Sequence, residues 1–128
     1  MTDGAAITAT LSRHARAQPD RVAVICDGHA ITWRALDGAV NRLAAHLARM
    51  MPAERGVALH LPNGPALALL FLAAARAGRE AQILDPNWPI ETAQLAIGEL
   101  SPGLVISHDP ALAAESGALM LADPHGPF

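Results

Sequence analysis

Between Gly56 and Ser107, short strand-like runs alternate with longer runs of helix composition, and this alternation constrains the fold more than any other feature. "GVALHL" (56–61) has strand chemistry, and "PNGP" (62–65) turns the chain. The run from Pro65 to Ala77 is apolar nearly all round, which predicts a helix over about 64–77 covered on several sides. Asn63 is placed to cap that helix, Pro65 sits near its start, and Gly78 suits the left-handed position after its last turn. "EAQIL" (80–84), a helix over 91–100 and "GLVIS" (103–107) repeat the pattern, and "PALAAES" (110–116) and "ALML" (118–121) extend it. Strands joined through helices pair in parallel, because the crossover returns the chain to the same end of the sheet. The expectation is an α/β fold: a mostly parallel sheet of strands 57–61, 81–84, 104–107 and 118–121 with helices on its faces.

The first 55 residues are organised differently. Ile7 and Leu11 recur at helical spacing in a segment that should stop before Pro19. "RVAVICDGHAIT" (21–32) carries Asp-Gly between two strand-like runs, which predicts a small antiparallel hairpin of residues 22–26 and 29–31. Thr32 is a plausible N-cap for a long helix ended by Pro52, with Leu36, Val40, Leu43, Leu47 and Met50 as its apolar stripe.

Composition excludes several classes. A chain of 128 residues supplies one domain's worth of core, and an apolar content of 52% argues against disorder. The net charge is −3, with 9 basic and 12 acidic residues interspersed, so no basic face marks a nucleic-acid partner. All the basic residues are arginine, and lysine and tyrosine are absent. The longest apolar stretch, 66–75, is too short to span a membrane, and no signal peptide is read at the N-terminus. The single cysteine, Cys26, rules out an internal disulfide framework, and a cytoplasmic location is expected.

No catalytic, cofactor-binding or metal-binding residue is assigned. The glycines are scattered, so neither a phosphate loop nor a dinucleotide fingerprint is present. The six histidines, at 14, 29, 46, 60, 108 and 125, lie far apart in sequence and give no metal spacing. Ser107-His108-Asp109 reads as a strand end followed by an Asp-Pro helix start rather than a triad, since adjacent residues rarely aim at one point. His60 should face away from Leu59 and Leu61 as a buried or half-buried histidine, and Cys26 reads as a small buried thiol. Asp85 either accepts backbone N–H groups in its turn or contacts a ligand, and Trp88 either packs on the adjoining helix or covers a pocket. Ligands of parallel sheets bind beyond the carboxyl ends of the strands, where "LPNGP" and "LDPNWP" both fall.

"ARAGREAQILDPNWP" resembles the helix–glycine–strand–turn motif, K-A-G-A-x-Y-V-P-L-D-P, of the adenylate-forming enzymes, with Arg76, Ala77, Gly78, Leu84, Asp85 and Pro86 matching in kind. That superfamily includes acyl-CoA synthetases, adenylation domains of nonribosomal peptide synthetases and luciferase-type ligases. "ITWRAL" (31–36) is similar to its L-[TS]-Y-x-E-L motif. "VALHLPNGPALALLFLAAARAG" and "AQPDRVAVICDG" resemble its L-P-N turn with buried helix and its entry hairpin. The four motifs occur in order from about Leu11 to Ile106. Ala35, Ala81 and Ile83 depart from the pattern, and Glu80 and Gln82 put polar groups on one face of a strand expected to be apolar.

The resemblance implies that residues 1–128 are the N-terminal subdomain of an AMP-dependent synthetase/ligase, the first part of the adenylate-forming fold. The parent would take a small carboxylic acid and ATP with Mg²⁺ to an acyl-adenylate, and pass the acyl group to the thiol of CoA or of a phosphopantetheine carrier. The phosphate loop, acyl pocket and C-terminal domain are expected beyond Phe128, so the chain alone should be inactive and its partner is the remainder of the ligase. No nucleic-acid or membrane partner is expected, and a homodimer stays open. Two other readings stay open as well: a free-standing binding or assembly module with this fold, and an unrelated ligand-binding α/β domain.

Overall fold

The computed structural model describes residues 2–26, 28–52, 54–112 and 119–120. Helix α1 (Thr2–Ala17) leads into an antiparallel hairpin of β1 (Val22–Cys26) and β2 (His29–Thr32), whose register is offset between Val22 and Val24. Helix α2 (Trp33–Met50) begins at Thr32, whose Oγ1 accepts the Ala35 N–H at 3.2 Å, as the cap expectation requires. Leu36, Val40, Ala44 and Leu47 form its buried stripe. The expected stripe errs at its last position: Met50 is exposed and Met51 is buried instead. The helix ends at Met50, and the extended backbone at Met51 turns that side chain back into the core.

The remaining strands are β3 (Val57–His60), β4 (Ala81–Ile83), β5 (Leu104–Ser107) and β6 (Leu119–Met120). All pair in parallel, in the order β4-β3-β5-β6. Helix α3 (Pro65–Arg76) joins β3 to β4, and α4 (Ile90–Leu100) joins β4 to β5. Residues 110–112 begin the expected short helix; residues 113–118 and the strand ends 118 and 121 lie outside the described residues.

The expected Asn63 cap is not formed. Gly64 is the N-cap, in extended backbone with no side-chain cap bond, and Pro65 at the first helical position needs no N–H partner. The other end of α3 follows expectation. Gly78 has φ +71°, its N–H donates to Ala75 O at 3.1 Å, and the Arg79 N–H donates to Ala74 O at 2.8 Å. That pair of bonds satisfies the last carbonyls of the helix. Coverage of α3 is incomplete: Ala68 and Phe71 are exposed along one side.

Alternation along β3 sends its side chains to two cores. Val57, Leu59 and Leu61 pack with Leu47 and Met51 near the end of α2 and with Leu70, Ala73 and Ala74 of α3. Ala58 packs with Val105 and Leu84 against Ala96 and Ile97 of α4. A third cluster joins Leu11 of α1, Leu36 and Val40 of α2 and Leu69 of α3. Glu80 and Gln82 satisfy part of each other at the edge of the sheet, where Gln82 Nε2 donates to Glu80 Oε1 at 3.2 Å.

Candidate functional site

The topology places a crevice between β3 and β5. These strands are neighbours, yet the chain leaving β3 crosses toward β4 while the chain leaving β5 crosses toward β6. Connections that diverge from adjacent parallel strands leave a gap beyond their carboxyl ends, where ligands of open α/β sheets bind. His60 and Ser107 end these strands as register partners. Both lie on the face that carries Ala58 and Val105, the face α4 covers.

Both residues are buried, His60 to 1% exposure and Ser107 to 0%. His60 Nδ1 and Ser107 Oγ are 2.8 Å apart, and Ser107 Oγ also accepts the Asp109 backbone N–H at 3.0 Å. A hydroxyl oxygen has a second lone pair, so Ser107 can donate to Nδ1 or accept from it, and either neutral tautomer of His60 keeps the contact. Nε2 has no hydrogen-bond partner among the described residues. Burial pushes the His60 pKa below the ordinary histidine value, nearby His108 pushes the same way, and Asp109 and Asp85 oppose them. The imidazole of this buried pair is therefore neutral at pH 7.

Beyond the strand ends opens a cleft of about 520 Å³, lined by Asn63, Asp85, Asn87 and His108 together with apolar residues that include Leu61 and Leu84. The loops read from sequence as lying beyond the strand ends, 61–65 and 84–89, meet along this cleft. Asp85 Oδ1 accepts the Asn87 N–H at 2.8 Å and so shapes its own turn. Trp88 is exposed rather than packed away, its backbone N–H donating to Asp85 O at 3.2 Å. Cys26, on the distant hairpin, is half-buried rather than buried.

Ser107, His108 and Asp109 do not converge. Ser107 is fully buried, His108 lines the cleft with Nδ1 3.5 Å from His60 O, and Asp109 Oδ1 accepts the Ala111 N–H at 2.9 Å. The helix-start reading of Asp109 holds. A buried serine bonded to the histidine Nδ1 has no route to a substrate and cannot serve as a nucleophile. The sequence reading missed the His60–Ser107 pair. Its only signal is that both residues occupy the last position of neighbouring strands.

A magnesium-bound polyphosphate does not fit this cleft. No lysine occurs in the chain, and no arginine is among the lining residues. Arg76 and Arg79 are engaged elsewhere: Arg76 binds Asp37, and Arg79 donates to Ala48 O at 3.3 Å and Met51 O at 3.2 Å at the end of α2. Among the described residues, no three His, Cys, Asp or Glu side chains are grouped to hold a metal ion, and no helix is long and apolar enough to cross a membrane.

The family model described as AMP-binding enzyme matches residues 11–125. Triostin synthetase I of Streptomyces triostinicus is 45% identical over 65 residues, 49% of this chain and 12% of that protein. The N-terminal subdomain of NpsA from Klebsiella oxytoca, solved with 3-hydroxybenzoyl-AMSN, superposes with a TM-score of 0.70 at 26% identity, over 80% of this chain and 26% of that one. The fold is shared with o-succinylbenzoate CoA synthetase (MenE) of Bacillus subtilis in complex with OSB-AMP, at a TM-score of 0.75 and 19% identity over 87% of this chain and 30% of that one. The chain thus spans about a third or less of each of these relatives.

Proposed function

Because the chain belongs to the AMP-binding enzyme family, we propose that it is the N-terminal subdomain of a carboxylate-activating ligase that converts an acid and ATP to an acyl-adenylate and passes the acyl group to a thiol. The match of the family model across residues 11–125 carries this reading. The NpsA and MenE structures, described with an acyl-AMSN ligand and an acyl-adenylate intermediate, support the choice of chemistry. The thiol belongs to CoA or to a carrier-bound phosphopantetheine, and the reaction runs in the cytoplasm.

In this reading the 128 residues supply scaffold, and ATP and Mg²⁺ are held by other parts of the ligase. The transferred nucleotide needs its developing charge neutralised by cations and converging N–H groups. The cleft described here has a carboxylate at Asp85 and no arginine.

Acid-dependent ATP–pyrophosphate exchange tests the proposal. The pure 128-residue chain should stay at background with a panel of aryl, amino and fatty acids. The same chain expressed with any downstream coding sequence in frame should exchange with at least one of them. Exchange by the short chain alone, or silence of the extended product with every acid, overturns the reading.

A further inference from the structure

We propose that the His60–Ser107 pair is a pH-sensitive latch, which holds the carboxyl ends of β3 and β5 together and anchors the 108–109 loop only while His60 is neutral. The inference rests on geometry. The two side chains meet across neighbouring strands at 2.8 Å, and the same Ser107 oxygen ties down the loop through the Asp109 N–H at 3.0 Å. The loop in turn carries His108 into the cleft.

With a neutral imidazole the latch is complete at Nδ1, and a single unpartnered Nε2 is its cost. A second proton makes both ring nitrogens donors, so Ser107 Oγ must accept from both Nδ1 and the Asp109 N–H while its own proton turns elsewhere in the buried site. The ring then carries a full charge at 1% exposure, with Nε2–H still unpaired.

The groups facing the ring do not offset this. His108 lies with its centroid 6.1 Å away and repels an imidazolium whenever it is itself charged. Asp109 and Asp85 attract the charge, but each already bonds a backbone N–H in its own turn. Helix α4 turns Ala96 and Ile97 onto this face and leaves Glu91 and Glu99 exposed. The cheaper response to acid is to separate the strand ends and let water reach the ring.

Amide hydrogen exchange on the full chain, read by NMR between pH 8 and 5 and corrected for intrinsic rates, tests the latch. The protection factor of the Asp109 amide should fall at least tenfold as pH drops below the ordinary histidine range. The Val57 amide, bonded to Glu80 O at the other end of the sheet at 2.8 Å, should keep its protection. His60→Leu should abolish the pH step at Asp109. His108→Asn should keep the step and move it to higher pH, and this variant serves if His60→Leu does not fold. Asp109 protection that is flat with pH, or a step that His60→Leu retains or His108→Asn removes, overturns the latch.

Discussion

Arg76 Nη1 lies 2.8 Å from Asp37 Oδ1, and the guanidinium that makes this contact ties α3 to both helices that pack on it. The same guanidinium donates to Asn41 Oδ1 at 2.8 Å on α2, and to Thr8 O and Ser12 Oγ on α1, each at 2.9 Å. Only a planar fork with several N–H groups serves so many acceptors at once. The pair is mostly buried, with side-chain exposures of 15% and 22%, so removing one partner strands the other away from water. Arg76→Ala should cost about 2–4 kcal/mol of unfolding free energy in urea titration. Arg76→Lys should recover less than half of that, because one ammonium cannot span the acceptors.

Gly78 offers a cleaner backbone test. Its φ is +71°, and a Cβ built there meets nothing within 4 Å. Any loss on substitution therefore comes from the left-handed conformation and not from a clash. Gly78→Val should destabilise by about 1–3 kcal/mol, and Gly78→Asn by less, because asparagine tolerates this region. Equal melting of the Val variant and the parent shows that the glycine is not required for its backbone.

The features legible in the sequence are the local ones. Thr32 and Gly78 act within a few residues of themselves, so the hydroxyl cap and the left-handed turn were readable from composition and spacing. The parallel sheet followed from the alternation of elements. Long-range pairings were not readable. In the sequence Arg76 reads only as the basic residue of the A-R-A-G motif, because its partners Thr8, Ser12, Asp37 and Asn41 are far away in sequence. Likewise, His60 and Ser107 became neighbours only through the register of β3 on β5, which no local pattern encodes. The Asn63 cap failed for a related reason: the chain enters α3 through an extended Gly64, which puts the asparagine one residue too early.

Gly56 and Gln82 form a testable coupled pair. A Cβ on Gly56 would lie 2.6 Å from Gln82 Nε2 and 3.0 Å from Glu80 O. The first atom belongs to a flexible side chain and the second to the backbone that accepts the Val57 N–H. Gly56→Ala should therefore cost about 1–3 kcal/mol, the scale of overpacking in a tight site. Gln82→Ser removes the nearer clash, so the double variant should be more stable than the sum of the single effects by at least about 0.5 kcal/mol. Simple additivity in a double-mutant cycle would show that the Glu80 backbone alone sets the limit.

The His60–Ser107 pair makes a prediction for global stability with a defined sign in pH. The folded-state pKa of His60 is lowered, chiefly by burial, whereas the unfolded chain titrates near the ordinary value of 6.5. Between those two values the unfolded state binds more protons, so unfolding free energy rises with pH through that window. The contribution is fully present above about pH 6.5 and is lost as acid approaches the folded-state value. Subtracting the pH–stability curve of His60→Leu from that of the parent removes the other titrating groups and should leave this dependence. Ser107→Ala acts most strongly while His60 is neutral, because it leaves the buried Nδ1 and the half-buried Asp109 N–H without their partner. It should cost about 1–3 kcal/mol at pH 8. Once His60 is leucine, the same serine replacement should cost less, because the partner still lost is the half-buried Asp109 N–H alone. A parent-minus-variant difference that is flat from pH 8 to 5 would remove His60 as the source of acid sensitivity, whatever Ser107→Ala does.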